Sequence, residues 1–371
     1  MMLPKSVLFI APLPPPYGGI SNWTSMIVRH LQATGCSVDV VNTAPMRRIT
    51  EGRSTFNRVT RGILSIFKTC SEAEQRVKVA KYEVAHIATS ASLALFRDIA
   101  VLKMLKRNNI PCILHLHFGR TPELSRQNNW EWRLLKKAIG LSDVVLTMDE
   151  PSRQVISNMS NHYHVRNIEN PVELSSMPLP VSGSYEGKTI LFVGWVVESK
   201  GICELLSAWE ALYSKEADWR LQVIGPISKE MREVVENTVL PRIEINGEVD
   251  HRKALEAISA CDILCLPSYT EGFPNVILEA MCYSKAVVAT NVGAIPEMLA
   301  GDRGVVVQAK DSKQLEEALR SLMEDEEKRI AMGEKGHKYV VEECAVEAVV
   351  HKYSLEWAYA KANRGNHADS R

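Results

Sequence analysis

Two glutamates, Glu271 and Glu279, stand eight positions apart in the run Ser268-Tyr269-Thr270-Glu271-Gly272-Phe273-Pro274-Asn275-Val276-Ile277-Leu278-Glu279-Ala280-Met281. The chemistry open to them is recognition of hydroxyls, because a carboxylate accepts hydrogen bonds on both oxygens. The preceding run, Cys261 to Leu266, is apolar and stops at Pro267, which predicts a buried strand. From Asn275 the pattern is helical, and Pro274 fits the first turn, where a missing N–H costs nothing. Glu271 then belongs to a loop at the carboxyl end of a strand, and Glu279 to the helix that follows. Open α/β sheets bind ligands at that end. The amides of Gly272, Phe273, Asn275 and Val276 can face an anion there, with the positive end of the helix dipole behind them. An anion cradle beside two hydroxyl acceptors is what a sugar nucleotide requires.

The elements that must carry these residues alternate strand and helix. Ser6 to Ala11 predicts a buried strand, Leu13 to Asn22 a Pro/Gly loop, Trp23 to Thr34 a helix and Ser37 to Asn42 a second strand, a Rossmann-like opening. Gly18-Gly19 falls in the first loop, where glycine permits close approach of a ligand, or simply a tight turn. Val84 to Ala88, Cys112 to His117 and Val144 to Met148 predict further strands, with Ser152 as a helix cap. His115 and His117 share a strand face. His117 ends its strand, whereas His115 fits a core histidine. Pro171, Pro178, Pro180 and Ser182-Gly183-Ser184 mark a linker. The pattern restarts with strands Thr189 to Val193, Leu221 to Ile224, Ile243 to Glu248, Ala286 to Thr290 and Gly304 to Val307. Helical patterns over Ser312 to Glu324, Glu326 to Gly336 and Val346 to Ala362 close the chain.

Glu271-x7-Glu279, with Gly-Phe-Pro after the first Glu and Gly293-Ala294-Ile295-Pro296-Glu297 downstream, resembles the signature of the retaining family 4 glycosyltransferases. The bare pair is weak, since Glu is common on helices; the whole combination is specific. The resemblance implies an α/β protein of GT-B fold. Two Rossmann-like domains would face a central cleft, with a C-terminal helix crossing back to the first. Their expected extents are 1–170, an acceptor-side domain with the returning helix at 346–371, and 171–345, a donor-binding domain. It implies transfer of a hexose from a nucleotide-sugar donor to a saccharide or lipid-diphosphate-linked acceptor, with retention and without metal or other cofactor. Surface polysaccharide, lipopolysaccharide or glycolipid synthesis is the implied setting.

By the same resemblance Glu279 binds the ribose, while Glu271 and the amides after it hold the sugar hydroxyls. His117 meets the transferred sugar, and Gly18 and Gly19 border the donor phosphates. In Gly194-Trp195-Val196-Val197-Glu198-Ser199-Lys200-Gly201, Lys200 is the expected diphosphate clamp. The family usually has Arg where Trp195 stands, and tryptophan cannot neutralise phosphate. Gly225 and the Asn246-Gly247-Glu248 loop are expected to border the base, although glycines there also serve plain turns. Each reading has a plain alternative: a solvated loop for Glu271, a surface lysine for Lys200, a core imidazole for His117. Two rival functions remain open, a sugar-nucleotide epimerase on the same fold and a non-catalytic sugar-nucleotide binder.

The 371 residues suffice for two cores. Lys plus Arg and Asp plus Glu are 44 each, which argues against a nucleic-acid binder. No apolar run is long enough to span a membrane, and the prolines from Pro12 to Pro16 break any signal-peptide pattern at the start. Eight scattered cysteines read as reduced core thiols of a cytoplasmic protein. One stretch departs from neutrality: residues 46–68 carry Arg47, Arg48, Arg53, Arg58, Arg61 and Lys68 against Glu51, beside Ile63, Leu64, Ile66 and Phe67. It reads either as a contact with the anionic cytoplasmic membrane face or as an ordinary surface helix.

Overall fold

The computed structural model describes residues 3–16, 18–44, 55–181, 187–213 and 218–364, with side chains left aside over 55–65. Residues 46–54 of the basic stretch, and its side chains as far as 65, therefore lie outside the described residues. The chain divides into two compact units, Met1–Pro171 with Val346–Arg371, and Val172–Ala345.

The first unit runs β1 (Ser6–Ala11), α1 (Gly19–Ala33), β2 (Ser37–Asn42), α2 (Thr55–Val79), β3 (Val84–Thr89), α3 (Ala94–Arg107), β4 (Cys112–Leu116), α4 (Thr121–Gln127), α5 (Trp130–Ile139), β5 (Val144–Thr147), α6 (Glu150–Ser157) and β6 (Val165–Asn167). Its six strands form a parallel sheet ordered β2-β1-β3-β4-β5-β6. The central strands β3 and β4 are buried throughout, and β1 from Val7 on, because helices cover both faces. On one face Ala73, Leu95, Leu102 and Leu135 bring in α2, α3 and α5.

In the second unit β7 (Lys188–Val193), a 3-10 turn (Glu198–Lys200), α7 (Ile202–Leu212), β8 (Trp219–Ile224), α8 (Lys229–Glu236) and β9 (Ile243–Asn246) come first. Then follow α9 (His251–Ala260), β10 (Ile263–Leu266), α10 (Asn275–Cys282), β11 (Ala286–Thr290), α11 (Ile295–Leu299), β12 (Val305–Val307), α12 (Ser312–Glu324) and α13 (Glu326–Tyr339). The sheet is again parallel, ordered β12-β11-β10-β7-β8-β9. The last helix, α14 (Val346–Ala362), belongs to the first unit: Val349, Tyr353 and Trp357 pack with Trp23, Ile27 and Leu31 of α1 on the sheet's other face.

Several boundaries differ from the sequence pattern. Helix α1 starts at Gly19 rather than Trp23. The cap of α6 is Asp149, not Ser152: the carboxylate accepts the Ser152 N–H at 2.7 Å, and Ser152 lies within the first turn. Pro274 caps α10 instead of entering it. Cys261 closes α9, leaving Cys265 in β10. All eight cysteines are free, but Cys203 is exposed, so the thiols are not all core. A short strand, β6, which the pattern did not predict, forms ahead of the linker prolines, where Val165 to Asn167 completes the sheet edge beside β5.

Candidate functional site

In the second sheet β7 has β8 on one side and β10 on the other, so the chain reverses its winding between β7 and β10. Loops at such a switch point open a crevice at the carboxyl ends of the strands. The loop after β7 carries Lys200, and the loop after β10 carries Glu271. The Tyr269 N–H donates to the Ser199 carbonyl at 2.8 Å, tying the two loops together. Lys200 Nζ then reaches Glu271 Oε1 at 2.5 Å, and Ser268 Oγ donates to the same oxygen at 2.7 Å. The pair is only partly exposed, 26% and 12%. Lys200 and Glu271, 71 positions apart, are thus one ion pair with a serine that sequence reasoning left out of the site. Ser268 is fully buried and its carbonyl accepts from Thr290 Oγ1 at 2.5 Å, so its hydroxyl is held in place.

Two glycines make this loop geometry compulsory. Gly201, directly after Lys200, has φ +69°, and a Cβ there would lie 2.0 Å from the Pro267 carbonyl oxygen. At Gly225, φ is +145° and a Cβ would lie 1.8 Å from the Gly194 carbonyl oxygen, so the loops after β7 and β8 touch backbone to backbone. Close packing within the chain therefore accounts for Gly225, while Gly194 is bonded from its N–H to Ile224 O at 2.9 Å. Trp195 is 59% exposed and brings no charge to the loop.

Phe273 and Pro274 are buried and fix the entry to α10, with Asn275 and Val276 in its first turn. The Ala294 N–H donates to the Gly272 carbonyl at 2.9 Å, so the Gly-Ala-Ile-Pro-Glu loop supports the entry from beneath. Glu279 lies one turn further on, its carboxyl raised above the ordinary range by burial and drawn back by His251. His251 Nε2 is 3.9 Å away on the first residue of α9, a neighbour with no local signal along the chain. Glu248 is exposed beyond the edge strand β9.

In the first unit the switch point lies between β1 and β3, and the loop after β1 leads to Gly18 and Gly19. Gly18 is extended, and a Cβ on Gly19 would meet nothing within 4 Å, so no strained turn requires either glycine. His117 follows β4, its N–H donating to Thr89 O at 2.9 Å. It joins a buried aromatic group: its ring lies 3.9 Å from that of His115 and 4.6 Å from that of Trp23. Trp357 Nε1, a donor only, lies 3.2 Å from His86 Nδ1, so the His86 proton sits on Nε2. That nitrogen faces His115 Nδ1 at 3.2 Å, which leaves the His115 proton on Nε2. The Nε2 atoms of His115 and His117 are shut from water and unpartnered among the described residues. Burial lowers His86 and His117 to about 3 and His115 well below 6.5, so all three are neutral imidazoles. His115 is the core histidine the pattern suggested. His117 offers an uncharged imidazole, not a cation.

Residues 17–176 match the family profile described as Glycosyltransferase Family 4, and residues 187–325 match that of Glycosyl transferases group 1. An uncharacterized glycosyltransferase of Haemophilus influenzae is 26% identical over 72% of this chain and 74% of its own length. The Staphylococcus aureus capsular polysaccharide biosynthesis glycosyltransferase CapM is 32% identical, over 40% of each chain. Among solved structures, Anabaena HepE in complex with UDP-glucose superposes with a TM-score of 0.67 at 16% identity, covering 95% of this chain and 99% of its own. Its likeness concerns the fold. The two Rossmann-like domains are those of the GT-B fold. The chain thus carries two glycosyltransferase domains, one matching Glycosyltransferase Family 4 in its first part and one matching Glycosyl transferases group 1 in its second.

Proposed function

We propose that the protein moves a hexose from a nucleotide-sugar donor to a saccharide or lipid-linked saccharide with retention of anomeric configuration, in surface polysaccharide or glycolipid synthesis. The observation that carries this reading is the Lys200–Glu271–Ser268 cluster at the switch point of the second unit, beside the N-terminus of α10. Lys200 and the amides entering α10 receive the leaving diphosphate, which develops negative charge as the sugar departs. Once Lys200 turns to phosphate, Glu271 is released to accept sugar hydroxyls. Glu279 accepts from the ribose, with Gly225 and Glu248 bordering the base. In the first unit His117 and the Gly18–Gly19 loop serve the sugar and the acceptor. The reaction needs no protein nucleophile: the leaving phosphate takes the acceptor proton on the face it vacates. UDP-glucose bound to HepE, and the capsular role of the Staphylococcus relative, support a nucleotide-sugar donor and a polysaccharide setting. The protein works at the cytoplasmic membrane face when the acceptor is lipid-linked.

A second reading, a sugar-nucleotide binder without turnover, is favoured by one observation: Trp195 stands exposed where a second cation would clamp the diphosphate. Incubation with UDP-, GDP- and ADP-linked sugars separates the readings. Nucleoside diphosphate release that depends on added acceptor supports transfer, isomer formation from donor alone supports an epimerase, and binding without product supports the binder.

A further inference from the structure

Helices α3 and α5 follow β3 and β4, lie side by side on the first sheet, and both run against the strands, so they begin at the same edge. Leu95 and Leu102 of α3, with Trp132 and Leu135 of α5, face the sheet. At the outward starts of the two helices, Leu93, Phe96 and Trp130 are 69%, 48% and 50% exposed. The rings of Phe96 and Trp130 stack with centroids 6.3 Å apart, which makes one apolar patch of the two helix ends. The stripe of Phe96 continues into Lys103 and Arg107, and that of Trp130 into Arg133 and Lys137, by the spacing of a single helix face. All four cations are exposed, and Lys106 and Lys136 flank them.

Between residues 93 and 137 nine Lys and Arg stand against three acids. Asp98 and Glu131 are buried and engaged by Arg97 and Arg120, which leaves Glu123 as the exposed acid of the three. In a chain whose charges cancel, this face is strongly positive.

We propose that the α3–α5 face docks the protein on an anionic lipid surface, with Leu93, Phe96 and Trp130 entering the headgroup layer and the cations behind them over lipid phosphates. Both ingredients are needed. Cations alone would suit any polyanion, but an exposed aliphatic and two stacked aromatics beside them gain from burial at the acyl boundary, and tryptophan favours that level of a bilayer. No helix among the described residues is long and apolar enough to cross a membrane, so contact of this kind is peripheral. Docking here bears on the proposed function, since a lipid-linked acceptor lies in the same plane. Vesicle binding requires neither donor nor turnover, so the two readings fail separately.

The test is flotation of the full chain with phosphatidylcholine vesicles, with and without phosphatidylglycerol. The protein should float with the anionic vesicles only, and less as salt rises. Each cation near an anionic surface counts for about fivefold in binding, so Arg133→Ser with Lys137→Ser should lower partitioning roughly 25-fold. Phe96→Ser with Trp130→Ser should abolish flotation even at low salt, while Trp130→Phe should behave as the unaltered protein. Failure of the unaltered protein to float at low salt overturns the proposal. So does full flotation of both double variants, which would move the contact elsewhere, for example to residues 46–68. Single-stranded RNA that binds the Phe96→Ser, Trp130→Ser variant as tightly as the unaltered protein, and strips the latter from vesicles, would make this a nucleic-acid surface instead.

Discussion

Replacing Glu271 by Gln should tighten the binding of a bare nucleoside diphosphate while slowing sugar transfer. Lys200 Nζ is 2.5 Å from Glu271 Oε1, so a diphosphate must draw the ammonium away from a carboxylate before it can use it. The amide of the Glu271→Gln variant would keep a bond with Ser268 but lose the charge. A charge-assisted hydrogen bond contributes about 1.5–3 kcal/mol, and the partial exposure of both side chains places the expected gain at the low end, roughly tenfold in affinity. Lys200→Ala should weaken the diphosphate by about tenfold to a hundredfold on the same scale. The double variant should match Lys200→Ala alone, because with the lysine gone there is no cation for Glu271 to withhold. Isothermal titration with the nucleoside diphosphate gives all three affinities, and turnover with the intact donor gives the rates. Glu271→Gln should lose turnover through the missing sugar contacts even as it binds the diphosphate more tightly. If Glu271→Gln weakens the diphosphate as Lys200→Ala does, the carboxylate supports the nucleotide instead of competing for its clamp, and the assigned roles are wrong. Additive effects of the two changes in the double variant would refute the coupling equally well.

Glu279→Ala should weaken the nucleoside diphosphate by about tenfold to a hundredfold, since ribose hydroxyls lose a charged acceptor, and the deficit should vanish with a ligand lacking the ribose. Gly201→Ala forces a side chain into the Pro267 carbonyl at φ +69°, so the second unit should lose about 1–3 kcal/mol in chemical denaturation and turnover should fall with the displaced Lys200. The first unit should lose stability as pH falls from about 6.5 towards about 3: the unfolded chain protonates His86 and His117 near 6.5, while burial holds both folded imidazoles neutral until about 3. Near pH 5.5 the cost is about 1.4 kcal/mol for each such histidine, stability above 7 should be flat in this respect, and His117→Gln should shallow the slope seen by thermal unfolding.

Much of this protein was legible along the chain because its central strands are buried on both faces. Ser6–Ala11 and Ala286–Thr290 are nearly continuous apolar or β-branched runs bounded by turn residues, and like Ser37–Asn42 they form where the pattern puts them. The two-domain Rossmann-like plan follows from the alternation of such runs with helical periods. Helix ends were less legible: Asp149 and Ser152 are both good caps, and only the folded backbone shows that the aspartate accepts the bond. Pairing across the chain was not legible at all. Lys200 and Glu271 could each be nominated from local context, but their direct bond depends on the contact between the loops after β7 and β10, which sheet order creates. The same holds for His251 beside Glu279, and for the Trp357–His86–His115 chain that joins α14 to two strands of the first sheet. Local sequence sets the backbone's preferences over a few residues. Which charges meet, and which imidazoles lose water and so stay neutral, is decided by packing between segments that lie 28 to 271 positions apart.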